Sequence, residues 1–368
     1  MLCHAITIQE RRIRFVLQLR YKGYQYRNPC WISAASKKQS LLMKGIKMSV
    51  TLSSKKVILI VMCVIPALIA GFAAWAFLWP SRSADLQKAN IQRRDYNQSV
   101  ADIQKVIADD TANSEVRPDC RPVLKTHGKK TARAVMILHG VSAEPSGMVE
   151  LADWFYQAGY NVYVPRVPHH GMKDNKLHGK VRASELVKFM GDSAGLVSGL
   201  GDELGVIGHS GGGTLATWLA QYGDGLFSRV LLLSPYYEPD ASKAPKWQMA
   251  LLRNVYGNHL LPDQFFDGNL SYRALANYVI IKQNYRNDLK AEGLKHLGLI
   301  IGSEDDLIDK TMALNIAEGM AKASGAEFTY ETTPAYIGAG HELISPEDKV
   351  VKKYKKELYG MYLRVYEK

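Results

Sequence analysis

The stretch GVIGHSGGGT, residues 205–214, places a single serine, Ser210, among five glycines directly after a short apolar run. Its centre, Gly208 to Gly212, reads G-x-S-x-G between a strand-like run and the start of a helical pattern. At such a junction the glycines permit a sharp turn that holds the serine at the carboxyl end of a sheet. A phosphate-binding loop also follows a strand, but it needs a Lys followed by Ser or Thr, which this stretch lacks. The stretch therefore predicts a nucleophilic serine.

Short apolar runs alternate with helical patterns on both sides of this motif. The predicted strands are residues 132–140, 160–167, 204–210, 229–235 and 297–305, and the predicted helices are residues 148–159, 183–200, 214–222 and 310–324, followed by a last helix capped by Ser345 and continuing to Tyr366. Continuously apolar strands are typical of a buried parallel sheet. With right-handed crossovers, the alternation predicts a three-layer α/β fold whose sheet is mostly parallel.

A serine hydroxyl needs a base to take its proton, and the base needs an acid to orient it. With this motif the acid follows a later strand and the histidine comes last. The sequence GSEDDLID, residues 302–309, supplies Asp305 as the predicted acid, with Asp306 as the close alternative and Asp309 as a weaker one; at least two of the three should be solvated or cap a helix. GAGHELI then supplies His341 as the predicted base.

Two backbone amides should bind the negative charge that develops on the substrate oxygen. The amide of Gly211, directly after the nucleophile, is one candidate. The other is the amide of Val141, in the loop LHGVSAEPSG that follows the first predicted strand of the sheet. We expect His139, in the same loop, to stabilise the turn rather than to act in catalysis.

The motifs ILHG, GYNVYVPRVPHHG, GHSGGG, GSEDD and GAGHELISP occur in this order between Arg121 and Glu367. In this they resemble the serine α/β-hydrolases of the carboxylesterase and monoacylglycerol-lipase type, and the paired histidine resembles a bacterial branch. The resemblance implies esterase or lipase chemistry, in which Ser210 attacks an acyl carbonyl, His341 transfers the proton, Asp305 orients His341 and water releases the acid. The doubled acid and the loop TTPAYIGAG depart from the family pattern and put the identity of the acid in question.

About sixty residues separate the strand ending at Pro235 from the one starting near Leu297, which is too long for a simple crossover. They predict a small helical cap over about residues 238–294. The candidates for an apolar substrate pocket are His139, His170, Tyr236, Trp247 and Phe265. Most apolar side chains of the cap are expected to pack against one another. The predicted partner is a small-molecule or lipid-like ester.

The segment VILIVMCVIPALIAGFAAWAFLW, residues 57–79, has 23 residues and no charge. At about 1.5 Å per residue it is long enough to cross a hydrocarbon core of about 30 Å. Lys55 and Lys56 precede it, which favours a single-pass anchor in a bacterial inner membrane with the large domain on the periplasmic side. A cleaved signal peptide is the alternative, although its apolar core usually has about 7 to 15 residues.

The net charge of +12 is concentrated before the apolar segment. Residues 1–56 carry twelve Lys or Arg and one acid, and residues 57–80 carry no charge, so residues 81–368 have a net charge of only +1. A nucleic-acid partner is therefore not expected. No C-x-x-C or H-E-x-x-H pattern occurs, so the sequence predicts neither a metal nor a cofactor.

The resulting domain organisation has four parts. Residues 1–47 are expected to be an untranslated leader, with the natural start at Met48, the alternative being a genuine basic tail. After the apolar segment, residues 84–116 are predicted to be a stalk or linker, and residues 117–368 the hydrolase domain.

Three other functions remain open at this stage. The protein could be a binding or scaffold protein on a hydrolase fold, although such proteins typically lose a catalytic residue. It could act as a thioesterase, amidase or peptidase. It could also be a membrane-tethered interaction protein whose activity lies in the amino-terminal tail.

Overall fold

The computed structural model describes residues 54–79, 81–267 and 269–368. The expected leader and the expected start at Met48 lie outside the described residues. Contacts divide the chain into one unit ending at Ala73 and a second unit from Ala74 to Lys368.

The first described element is an apolar helix, α1 (Ser54–Leu78). Its segment Leu59–Leu78 has 20 residues with a mean hydropathy of 2.4, which is long and apolar enough to cross a membrane. Large apolar side chains such as Leu68 and Ile69 are exposed along it. A bilayer would cover such side chains, which is the arrangement that the sequence predicts.

A seven-stranded sheet forms the centre of the second unit. Its strands are β1 (Val123–Lys125), β2 (Thr131–Leu138), β3 (Asn161–Val164), β4 (Gly201–His209), β5 (Phe227–Leu233), β8 (His296–Ile301) and β9 (Glu327–Thr332), and they lie in the order β1-β3-β2-β4-β5-β8-β9. All neighbouring strands are parallel except β1 and β3. The five predicted strands and the mostly parallel sheet are confirmed. The sequence missed β1, which has three residues, and β9, an edge strand with only partly buried side chains.

Helices cover both faces of this sheet. They are α2 (Tyr96–Ala112), α3 (Val149–Gln157), α4 (Ala183–Val197), α5 (Gly211–Tyr222), α7 (Tyr272–Gln283), α8 (Lys310–Ser324) and α9 (Lys349–Glu367). Alternate residues of β2 point to opposite faces. Met136 and Leu138 belong to the hydrophobic cluster under α4, α5, α7 and α8, while Val135 and Ile137 belong to the cluster under α3 and α9. The three-layer prediction is therefore confirmed.

The segment 84–116 differs from the predicted stalk. Ile103 on α2 is fully buried, and the Ser99 hydroxyl accepts a hydrogen bond from the Gly199 amide at 3.1 Å. The Trp218 indole donates to the Leu86 carbonyl at 2.8 Å. The segment packs against α4 and α5 through a few apolar side chains, a pattern too sparse to stand out in the sequence.

The predicted cap, over about residues 238–294, is only partly helical. Besides helical segments it contains a hairpin: α6 (Lys246–Leu251) and a π-helical turn (Leu252–Tyr256) are followed by two short strands, β6 (Phe265–Phe266) and β7 (Leu270–Ser271). The following helix, α7, packs against the π-helical turn as well as against α4 and α5, and so joins the cap to the rest of the domain. The Tyr285 hydroxyl, two residues beyond the end of α7, donates a hydrogen bond to the Thr214 carbonyl of α5 at 2.8 Å.

The last helix begins later than predicted. Asp348, not Ser345, is its N-terminal cap, since the Asp348 carboxylate accepts hydrogen bonds from the amides of Val350 and Val351. Compared with Ser345, Asp348 is closer in sequence to Val351, the first buried residue of the helix.

Candidate active site

Ser210 lies on a strained turn between β4 and α5. Its φ of 51° and ψ of −120° are unfavourable for a residue with a side chain. The glycines around it are required by space. A Cβ on Gly212 would lie 2.1 Å from the Leu138 carbonyl oxygen, and one on Gly208 would lie 2.2 Å from the Gly212 carbonyl oxygen. The turn is therefore built to present the serine.

A chain of hydrogen bonds connects Ser210, His341 and Asp305. The Ser210 hydroxyl lies 2.8 Å from Nε2 of His341, and Nδ1 of His341 lies 2.9 Å from Oδ2 of Asp305. With the proton of the neutral ring on Nδ1, His341 donates to the carboxylate and accepts from the hydroxyl. The three side chains that the sequence singled out are thus brought together with the spacing of a nucleophile, a base and an orienting acid.

Asp305 is fully buried, and its carboxylate also accepts a hydrogen bond from the Leu307 amide at 2.9 Å. Burial alone would raise the pKa of Asp305, but its interactions with the His341 ring, together with the hydrogen bond from the Leu307 amide, hold the pKa below its ordinary value. The carboxylate is therefore ionised at neutral pH and faces His341 as an anion.

The other two candidate acids lie elsewhere. Asp306 is exposed and forms an ion pair with Lys243 at 2.6 Å. Asp309 is the N-terminal cap of α8, with its carboxylate accepting from the Met312 amide at 2.9 Å. Only Asp305 of the three bonds to His341.

The two amides predicted to bind an oxyanion flank the serine. A Cβ on Gly140, the residue before Val141, would lie 3.2 Å from Cβ of Ser210, and a Cβ on Gly211 would lie 2.5 Å from the Val141 side chain. The Gly211 amide is the first of α5 and has no acceptor within the helix. Among the described residues, the Val141 amide donates to no acceptor either. Both donors are therefore available to a ligand beside Ser210.

The structure does not place His139, His170 or Phe265 in the cavity beside Ser210. His139 accepts a hydrogen bond from the Val167 amide at 3.1 Å and donates to the Gly140 carbonyl at 3.1 Å, so it stabilises the turn, as preferred from the sequence. His170 lies 2.7 Å from the Val141 carbonyl through Nε2 and supports the same loop from behind.

Burial of His139 gives a testable dependence of stability on pH. Burial lowers its pKa to about 4, against about 6.5 for an unfolded chain. Below pH 6.5 the unfolded chain binds a proton that the folded one excludes, so stability is fully present above this pH and is lost as pH falls towards 4. We expect the free energy of unfolding to fall by about 3 kcal/mol between pH 7 and pH 4, because the unfolded chain binds a proton at residue 139 that the folded chain excludes.

Urea unfolding of the full chain in detergent, followed by tryptophan fluorescence at each pH, measures this effect. The variant His139→Gln should show a flatter dependence on pH, whereas His127→Gln, at an exposed position, should keep the wild-type slope. Equal slopes in all three proteins would contradict the expectation.

A cavity of about 490 Å³ opens beside Ser210 and His341. Its lining is mainly apolar and aromatic, and includes Tyr236, Trp247, Met249, Leu251, Leu252, Tyr256, Phe266, Tyr272, Leu275 and Leu307. The predicted pocket residues Tyr236 and Trp247 are among them. The sequence pointed to the aromatic content of the cap, but Leu252, Leu275 and Leu307 carry no local signal that separates them from core residues.

Two side chains next to the triad candidates were not predicted. His209 donates through Nε2 to the His341 carbonyl at 2.8 Å, which joins the serine turn to the histidine loop. The Glu342 carboxylate accepts from the amides of Ile344 and Ser345, each at 2.8 Å, and so holds the other side of that loop. Their only signal in the sequence is their position beside Ser210 and His341.

Together, the mostly parallel sheet, the serine turn and the chain Asp305–His341–Ser210 define a serine α/β-hydrolase. The chain belongs to the family described as serine aminopeptidase, S33. The family matches residues 129–324, which are more than half of this chain. No curated protein matches the chain.

Solved structures of lipolytic enzymes share this fold. One, from a study of the metagenome-derived enzymes LipS and LipT, is 20% identical over 68% of this chain and 98% of its own, with a TM-score of 0.51. A soluble variant of monoglyceride lipase from Saccharomyces cerevisiae is 14% identical over 67% of this chain and 91% of the lipase, with a TM-score of 0.51. A monoacylglycerol lipase from Paleococcus ferrophilus is 17% identical over 66% of this chain and 99% of the lipase, with a TM-score of 0.50. These likenesses establish the α/β-hydrolase fold.

Proposed function

We propose that the protein is a membrane-anchored carboxylic ester hydrolase that acts through an acyl-enzyme intermediate. The hydrogen-bonded chain Asp305–His341–Ser210 at the edge of an apolar cavity carries this proposal. Ser210 is the nucleophile, His341 is the general base and Asp305 is the orienting acid.

The geometry supports a two-step reaction. As the Ser210 oxygen attacks the ester carbonyl, its proton passes to Nε2 of His341, and the Asp305 carboxylate stabilises the resulting imidazolium. The amides of Val141 and Gly211 bind the tetrahedral oxyanion. His341 then protonates the departing alcohol oxygen, and a water molecule activated by the same histidine hydrolyses the acyl-enzyme.

The lining of the cavity favours an ester with an apolar acyl chain, such as a monoacylglycerol. A peptidase that recognises a free amino terminus would need a carboxylate to bind the ammonium group. Glu342 is the one acidic side chain among the described lining residues, and its carboxylate is already bonded to two backbone amides. The cavity therefore offers hydrophobic contact rather than a site for a cationic amine.

The anchor in this proposal is α1. Lys55 and Lys56 precede its apolar segment and favour a cytoplasmic amino terminus, with the hydrolase domain on the outer, periplasmic face of a bacterial inner membrane. Because residues 84–116 pack against α4 and α5, we include them in the hydrolase domain.

Turnover of p-nitrophenyl esters of increasing acyl length tests the proposed substrate class. Each methylene buried in the cavity should raise kcat/KM by up to about fourfold until the cavity is filled. The variant Met249→Phe, which narrows the lining, should shift the optimum to shorter chains. A profile that is highest for acetate and falls steadily would contradict an acyl pocket, and faster cleavage of the matching anilides would favour amidase chemistry.

A further inference from the structure

The end of the apolar helix is bonded directly to the cap. The side-chain amide of Asn254, which is fully buried, donates to the carbonyls of Ala76 at 2.8 Å and Trp79 at 3.2 Å. Its oxygen accepts from the Ser81 hydroxyl at 2.8 Å. Ala76 belongs to the last turn of α1, so one cap residue fixes the point at which the chain leaves the helix.

The residues that follow are equally fixed. The Ser83 amide donates to the Asn284 side chain at 2.9 Å, and Asn284 donates to the Ser81 carbonyl at 2.8 Å. The Arg82 guanidinium donates to the Tyr285 carbonyl at 2.9 Å. No flexible spacer therefore separates the end of α1 from the hydrolase domain in the described chain.

The turn that holds the helix end also forms a wall of the cavity. Leu251, Leu252 and Tyr256 line the cavity, while Asn254 between them bonds to the helix end. This is the π-helical turn, a form that is frequent at functional sites. The helix end and the substrate cavity are thus only one turn of chain apart.

Exposed large apolar side chains are concentrated in the cap segment. We call four cap residues the apolar rim, namely Trp247, Leu260, Leu261 and Phe266, which are 59%, 56%, 47% and 44% exposed. Among the described residues after Trp79, two large apolar side chains outside the cap have a similar exposed fraction, namely Tyr330 and Tyr336. A concentration of this kind marks an interaction surface.

The chemistry of the rim fits a lipid bilayer. Trp247 and Phe266 are both exposed and both line the cavity, so they stand at its mouth. Lys246 is exposed beside Trp247. Tryptophan together with lysine is typical of the boundary between lipid and water, where the aromatic ring enters the headgroup region and the ammonium contacts phosphate.

We propose that the apolar rim and the end of α1 form one surface that lies in the interface of the bilayer that α1 crosses. A single-chain ester lipid then passes from this bilayer into the cavity between Trp247 and Phe266 without entering water. This inference rests on the proposed function for the reaction, and on the contacts of Asn254 for the position of the rim.

Photocrosslinking tests the position of the rim independently of catalysis. The full chain, carrying p-benzoylphenylalanine in place of Leu260, is reconstituted in vesicles of phosphatidylethanolamine and phosphatidylglycerol and irradiated. We expect a lipid adduct at this site by mass spectrometry, and none when the probe replaces Tyr330. Absence of a lipid adduct at 260, or a crosslink to a second copy of the chain instead, would overturn the proposal.

A comparison of two substrates tests its consequence. Leu260→Gln with Leu261→Gln changes residues outside the cavity lining. In vesicles, this variant should hydrolyse monooleoylglycerol roughly five- to tenfold more slowly than wild type, because less apolar surface enters the bilayer. Its turnover of dissolved p-nitrophenyl butyrate should be unchanged, and Tyr330→Gln should behave as wild type with both substrates.

Equal loss on both substrates, or no loss on either, would refute a role of the rim in substrate entry. A wild-type protein inactive on both esters would refute the proposed function instead, and the lipid adduct at position 260 would still decide the position of the rim.

Discussion

Replacing Ser210 with alanine is expected to lower the kcat for any ester by about 10⁵-fold or more, because the hydroxyl proposed to form the acyl-enzyme is removed. The His341 ring and the two amides of the predicted oxyanion site would remain in place, so binding should persist while the covalent step is lost. Labelling by a fluorophosphonate probe, which reacts only with an activated hydroxyl, should disappear together with turnover.

The matched control is Ser142→Ala. Ser142 lines the same cavity and is exposed, but it has no hydrogen bond to a base among the described residues. Labelling should therefore be retained in this variant. If Ser210→Ala, shown to be folded by circular dichroism, still labels and still turns over esters, then the serine turn is not the catalytic element. If the wild-type protein does not label at all, the binding-protein alternative becomes the better explanation.

The parts of this site that the sequence predicted are those encoded by local patterns. The turn around Ser210 needs glycines within two residues, so its identity is visible in GHSGGG alone. Asp305 is recognisable because it follows a predicted strand, and His341 because it comes last in the expected order, in a glycine-containing loop before the final helix, although the two are 36 residues apart. Only the folded chain shows that Asp305 turns inwards while its neighbour Asp306 turns outwards to Lys243.

The parts that the sequence missed depend on contacts between distant residues. Asn254 and Ala76 are 178 residues apart, and nothing local to either residue signals their hydrogen bond. The segment 84–116 appeared as a stalk because its packing depends on scattered side chains such as Leu86 and Ile103. The position of His170 in PRVPHHG made it a pocket candidate. The conformation of the loop instead directs its ring towards the Val141 carbonyl.

The choice between the two neighbouring acids gives the second large expected effect. Asp305→Asn should lower kcat by about 10⁴-fold, because the asparagine amide can donate towards Nδ1 of His341 and favour the tautomer that cannot accept the proton of Ser210. The buried site would also lose the anion that stabilises the imidazolium. Since the side chains have nearly the same size, the fold should be retained, and the loss should appear in kcat more than in KM.

Asp306→Asn is the control that the chain itself provides. It makes the same chemical change one residue away, but it affects only an exposed ion pair with Lys243. Exposed pairs contribute little to stability, so kcat and kcat/KM should stay within about twofold of wild type. A large loss in Asp306→Asn with near-normal turnover in Asp305→Asn would assign the orienting role to Asp306, and would require the loop after β8 to rearrange during catalysis. Comparable losses in both variants would show that Lys243 and Asp306 help to hold that loop, because Asp306 does not itself contact His341.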